Sequence, residues 1–141
     1  MLDRDIGTGW LATGVPAAHV SAALELLEEV LATPEDEIQR AAAVRAFEFT
    51  CELSWTLIHA CLRAEGARVT DPEATLRAAA AAEIVSSAER WRDYRCACQL
   101  VARADNDAKS MYVNALITET FLDDVRALLA HPRIGVQALH R

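Results

Sequence analysis

RAFEFTCELSW, residues 45–55, lies midway along a run from about Glu35 to Glu65 that holds no glycine or proline. At helical spacing the run carries two apolar stripes. One is Phe47, Cys51, Trp55, Ile58 and Leu62; the other is Phe49, Leu53, Leu57 and Ala60. A narrow polar line of Glu48, Glu52, Thr56, His59 and Arg63 lies between them. A helix apolar on two sides and polar along one seam touches several neighbours at once. The pattern predicts a central helix roughly 45 Å long, at about 1.5 Å per residue, with the rest of the chain packed around it.

Length and composition narrow the class. At 141 residues the chain has the size of one domain. Hydrophobic residues make up 52%, enough for a sizeable core and too many for general disorder. Alanine dominates and aromatics are only 6%, which favours closely approaching helices over a sheet. No segment shows the period-two alternation of a strand. A net charge of -7 argues against a broad electrostatic grip on nucleic acid, while leaving room for a local basic site.

Cys51 and Cys61 fall on the apolar side of the central helix, where free cysteine packs as a small hydrophobe. The Cys96-Ala97-Cys98 spacing matches no zinc pair. The four cysteines therefore read as structural thiols, and the expected compartment is a reducing cytoplasm. No apolar run reaches membrane-spanning length, and the first residues lack a signal-peptide pattern. No cofactor is indicated.

Outward from the centre, residues 1–15 read as an irregular arm, broken by Gly7, Gly9 and Gly14, with Trp10 docked on the bundle. Its GTGWLATG segment lacks both the Gly-Lys-Ser/Thr ending and the preceding strand of a phosphate loop. A first helix from Pro16 buries Val20, Leu24, Leu27 and Leu31. Thr33 is expected to cap the second helix, with Pro34 at its first position. Gly66 ends that helix, and Thr70 or Asp71 caps a short alanine-rich one over about 72–83. Ser86 and Ser87 mark a break before a helix over 88–104, ADND makes a polar turn at 104–107, and a last helix follows to about Ala130. The expected fold is an all-α, up-and-down antiparallel bundle over 16–131, with four main helices, the third broken into two. Residues 132–141 form a short tail.

FEFTCELSW, from Phe47 to Trp55, resembles the FEFTFELAW signature of the nucleotidyltransferase substrate-binding subunit family, within the HEPN superfamily of helical bundles. Asp71-Pro72-Glu73 stands where that family starts a helix, Ile84-Val85 where it ends one, and Trp91 follows at the family's interval. The resemblance covers roughly residues 20–130. It implies a homodimer whose partner is a small nucleotidyltransferase, encoded as a separate chain. Related pairs act as toxin and antitoxin, with the helical subunit as a ribonuclease silenced by the transferase.

The family's ribonuclease members carry Arg, a polar residue and, further on, His. In the register set by Trp91, those positions hold Cys98, Gln99 and Arg103. RNA cleavage without a metal needs a group that moves a proton near neutral pH, as His does. Arg103 can hold a phosphate but stays protonated, and Cys98 cannot supply the charge of an arginine. Arg126 and His131 meet the bare spacing, yet point about 140° apart on a helix. No catalytic residue is assigned.

Glu48, Glu52 and His59 on one seam, together with Arg95 and Arg103, are the candidate contacts to a ligand or partner, including a nucleotide or RNA. Two carboxylates at i and i+4 resemble half of a di-metal bundle site, but no Glu-x-x-His pair completes one, so no metal is assigned. The expected function is a non-catalytic substrate-binding subunit beside a nucleotidyltransferase. The alternatives are a ribonuclease toxin with an atypical site and a dimeric scaffold without a transferase.

Overall fold

Short polar side chains set where each helix begins. The computed structural model describes the backbone of residues 14–103, 107–132 and 134, and the side chains of 17–100, 108–132 and 134. Helix α1 spans Gly14–Leu31 and α2 spans Glu37–Ala64. Asp36, in extended conformation, caps α2 by accepting from Gln39 N at 2.7 Å. This corrects the expected cap at Thr33, which instead donates through Oγ1 to Val30 O at 2.6 Å and closes α1. A carboxylate is the stronger acceptor for a helix N-terminus, so Thr33, Pro34 and Glu35 stay in the link.

Gly66 ends α2 as expected, with φ 90. Gly66 N donates to Arg63 O, and Ala67 N to Leu62 O, both at 3.0 Å. This is the paired closure that a left-handed residue allows. Asp71 caps α3, Pro72–Ala81, by accepting from Ala74 N, with Pro72 in the first turn. The same closure ends α3, with Glu83 at φ 62 in the glycine position. There Glu83 N donates to Ala80 O and Ile84 N to Ala79 O. The turn tucks Ile84 and Val85 into the core.

Ser87 then caps α4, Ala88–Arg103, accepting from Arg90 N at 3.1 Å. Helices α3 and α4 are therefore separate elements, each with its own cap. The described residues form five helical rods rather than four with one broken. The last rod is α5, Asp107–Leu116, followed by a π-helical turn over Ile117–Phe121 and α6, Leu122–Leu129. Leu122 N reaches back five residues to Ile117 O, a widening that periodicity alone does not reveal.

Helix α1 is the most extensive neighbour of α2, and α3, α4 and α5 also pack on it. The core centres on four rings. Phe47 meets Phe121 at 4.7 Å between centroids, Tyr94 meets Phe121 at 4.9 Å and Trp91 meets Tyr94 at 5.2 Å. All three pairs are edge-to-face, the geometry that aromatic quadrupoles favour. Ile134 is also buried against this core.

The second apolar stripe of α2 is not a second packed flank. Leu57 is buried, but Phe49 is 52% exposed and Leu53 and Ala60 are half-buried. The buried face instead takes in Thr50 and Ser54, both fully buried. Their hydroxyls donate to Ala46 O and Thr50 O one turn back, at 2.7 and 2.8 Å. Once satisfied that way, they pack as small groups where a ring would not fit. Leu100 of α4 and Met111 of α5 are likewise exposed. Most of the predicted arm and tail, Trp10 included, lies outside the described residues.

Candidate functional site

Helix α4 lies alongside the seam edge of α2 and brings its own chemistry there. Cys51, buried on α2, hydrogen-bonds the half-buried thiol of Cys98 on α4. That bond, and then burial, push the Cys51 thiol well above its ordinary range. One turn along, the Arg95 guanidinium lies 5.9 Å from the Trp55 ring centroid, within cation–π range. The Trp55 Nε1–H is buried and has no acceptor among the described residues.

Glu48 is half-buried, and burial raises its carboxyl above the ordinary range. Arg45 opposes this rise and Glu52 adds to it. Glu52 is exposed. His59, three turns from Glu48, places Nε2 3.5 Å from Thr75 Oγ1 of α3, a long contact whose donor depends on the tautomer.

The next layer ties α3 to α4. Arg92 grips both oxygens of Glu73, Nε to Oε2 at 2.7 Å and Nη2 to Oε1 at 3.0 Å. Those hydrogen bonds hold the Glu73 carboxyl below the usual carboxylate range. The structure thus gathers Glu48, Glu52, Trp55 and Cys51 of α2 with Arg95 and Cys98 of α4 along one edge. His59 stands apart from that group, toward α3.

Of the positions that the resemblance aligns with the nuclease motif, Cys98 faces Cys51 and Gln99 is exposed. Arg103 closes α4 in backbone, but its side chain lies outside the described residues. Helix α4 contains no histidine. Arg126, the spacing coincidence, is committed elsewhere. It pairs with Glu28 of α1 at 2.5 Å and with Asp123 at 3.1 Å. Among the described residues, no group of three or more His, Cys, Asp or Glu stands close enough to hold a metal ion. None of the described helices is long and apolar enough to cross a membrane.

Sequence reasoning passed over one polar cluster. Arg90 and Tyr94 of α4 both bond the carboxylate of Asp124, and the Tyr94 hydroxyl lies 2.8 Å from Thr120 Oγ1. Its readable signal is an acid inside an apolar repeat, Ile117, Phe121, Asp124, Leu128. An acid on a buried stripe implies a buried partner.

The aromatic signature at the core, the capped Asp71-Pro72 helix start and Trp91 thus form one packed unit. No curated protein is similar enough to this chain to count as a match. The profile of the family described as "Nucleotidyltransferase substrate binding protein like" matches residues 17–132, which take in α2, α3, α4, α5 and α6 whole. The chain belongs to the nucleotidyltransferase substrate binding protein-like family.

Proposed function

We propose that this chain is the non-catalytic, substrate-binding partner of a small nucleotidyltransferase, acting from a reducing cytoplasm as a homodimer of HEPN-type bundles. The observation that carries the reading is the family match across the whole bundle. The up-and-down helix order agrees with it, because α1 with α2, α2 with α3, α3 with α4 and α4 with α5 all pack as neighbours. The domain is taken as residues 16–131, between the arm and the tail.

Two features support a binding role. In the register that the resemblance sets, the nuclease positions hold Cys98, Gln99 and Arg103, so the charge of the arginine is missing and a permanently protonated side chain stands where histidine would move a proton. The exposed Phe49 and Ile38 of α2, with Met111 and Tyr112 of the neighbouring α5, supply apolar surface for self-association. The seam of Glu48, Glu52 and His59, with Arg95 and Arg103, is the proposed contact with the partner or its substrate. A toxin–antitoxin pairing fits the same family context.

Co-expression with any small nucleotidyltransferase encoded beside this chain tests the reading. A stable co-eluting complex is expected, together with no degradation of RNA by the helical chain alone. RNA degradation abolished by Arg103→Ala would establish the ribonuclease alternative. A dimer that captures no transferase would establish a scaffold.

A further inference from the structure

The turn that ends α2 opens a groove of about 410 Å³, lined chiefly by His59, Arg63, Arg68 and Thr70 around Gly66. We infer that this groove is an anion site for the di- or triphosphate group of a small ligand. The inference needs only the isolated chain and does not depend on the transferase reading.

Charge placement carries the argument. Four of the nine arginines with described side chains form ion pairs, and Arg77 acts on the charge of Glu73. Arg40 pairs with Glu35, Arg90 with Asp124, Arg92 with Glu73 and Arg126 with Glu28. Arg95 lies over Trp55, and Arg45 stands beside Glu48. Arg63 and Arg68 form no ion pair or hydrogen bond among the described residues, and both line this one groove. None of the residues lining it is acidic. In a chain of net charge -7, two unpaired guanidinium groups and an imidazole around one concavity are a local reversal of field.

Asp71, which follows Thr70 in the chain, is turned onto Ala74 N as the α3 cap. Thr75 Oγ1 donates to Asp71 O at 2.9 Å, so its oxygen is free to accept from His59 Nε2. That contact would turn the other ring nitrogen of His59 away from α3.

Shape agrees with charge. The volume falls in the range of small-ligand cavities, about 300–1,000 Å³, and exceeds what one phosphate needs. The two arginines come from different elements, Arg63 from the last turn of α2 and Arg68 from the link to α3. Guanidinium groups set apart in this way can fork onto successive phosphates, which suits a di- or triphosphate better than a lone phosphate. The closure at Gly66 fixes the backbone between them.

Calorimetric titration of the full chain with inorganic tripolyphosphate, ATP, adenosine and an RNA oligonucleotide lacking terminal phosphates tests the site. Binding of both polyanions at concentrations up to about 1 mM is expected, weakening as salt rises, with no binding of adenosine. The Arg63→Ala/Arg68→Ala variant should melt like wild type without ligand and bind both polyanions roughly tenfold or more weakly. Tighter binding of ATP than of tripolyphosphate, with the same loss in the variant, identifies a nucleotide as the source. Equal binding identifies a free polyphosphate. No binding to wild type, binding unchanged in the variant, or binding only of an RNA oligonucleotide lacking terminal phosphates would overturn the inference.

Discussion

Arg90 on α4 closes on Asp124 of α6 through two hydrogen bonds, Nε to Oδ2 at 2.7 Å and Nη2 to Oδ1 at 2.9 Å. The hydroxyl of the buried Tyr94 donates to the same carboxylate. Asp124 keeps only 7% of its side chain exposed, against 42% for Arg90. The bonds to Asp124 raise the Arg90 guanidinium further above its already high range, and burial raises the Tyr94 hydroxyl. At neutral pH the arginine is therefore charged and the tyrosine protonated. The cluster fixes α4 against the last rod just beyond the π-helical turn.

Asp124→Ala removes the acceptor shared by Arg90 and Tyr94. Breaking a buried pair costs about 3–5 kcal/mol. Arg90 is open enough to recover water, so the expected loss is about 2–3 kcal/mol. Tyr94→Phe, which keeps the ring, should cost about 1 kcal/mol. Urea unfolding of the two variants checks both values. Equal losses would mean that the hydroxyl bond from Tyr94, and not the pair with Arg90, carries the whole contribution of the carboxylate.

The two phenylalanines of the opening motif should behave oppositely. Phe47 is fully buried and meets Phe121 edge-on, so Phe47→Ala should cost about 3–5 kcal/mol. Phe49 is 52% exposed, and Phe49→Ala should cost less than about 1 kcal/mol in the monomer. Thermal melting separates them. Sedimentation of Phe49→Ala asks a second question, because a ring at a dimer contact should shift association while leaving the monomer fold intact.

The pair between Glu73 and Arg92 should show itself in acid. The folded-state pKa of Glu73 lies below its ordinary 4.5, chiefly through its hydrogen bonds from Arg92. Its contribution is therefore complete above that ordinary value and is lost as pH falls through the depressed one. Glu73→Gln should leave a flatter stability curve below about pH 4.5. The difference should be small, because both side chains are more than 40% exposed and screened by water. Chemical denaturation at pH 6 and at pH 3.5 measures it.

Cys51 and Cys96 should differ sharply toward a disulfide reagent at mildly alkaline pH. Reaction requires the thiolate. Cys51 is buried and its thiol is pushed up by its bond to Cys98 and by burial, whereas Cys96 is exposed. Cys96 is expected to react on mixing, and Cys51 only at the rate of unfolding. Peptide mapping of the labelled chain identifies which thiol has reacted.

Local chemistry made much of this molecule legible. The 3.6-residue spacing of Phe47, Cys51, Ile58 and Leu62 marks a buried helix face. Gly66, and Asp71 followed by Pro72, mark ends and starts, because backbone groups at helix termini need partners that only certain side chains or φ values supply. That helix α4 holds no histidine is equally a matter of reading.

What the sequence left open depends on distances between helices. Phe49 has the same helical spacing to Leu53 and Leu57 as a core residue, yet no described neighbour covers most of its ring. Periodicity gives a direction around one helix and not the position of the next. The two arginines of the groove are five residues apart, and nothing local says that both stay unpaired. Only tertiary structure gave Asp124 to Arg90, paired Cys51 with Cys98 and opened the concavity beside Arg63. Ion pairing and burial are settled between elements far apart in the chain, by which side chains the packed helices bring within a few ångströms.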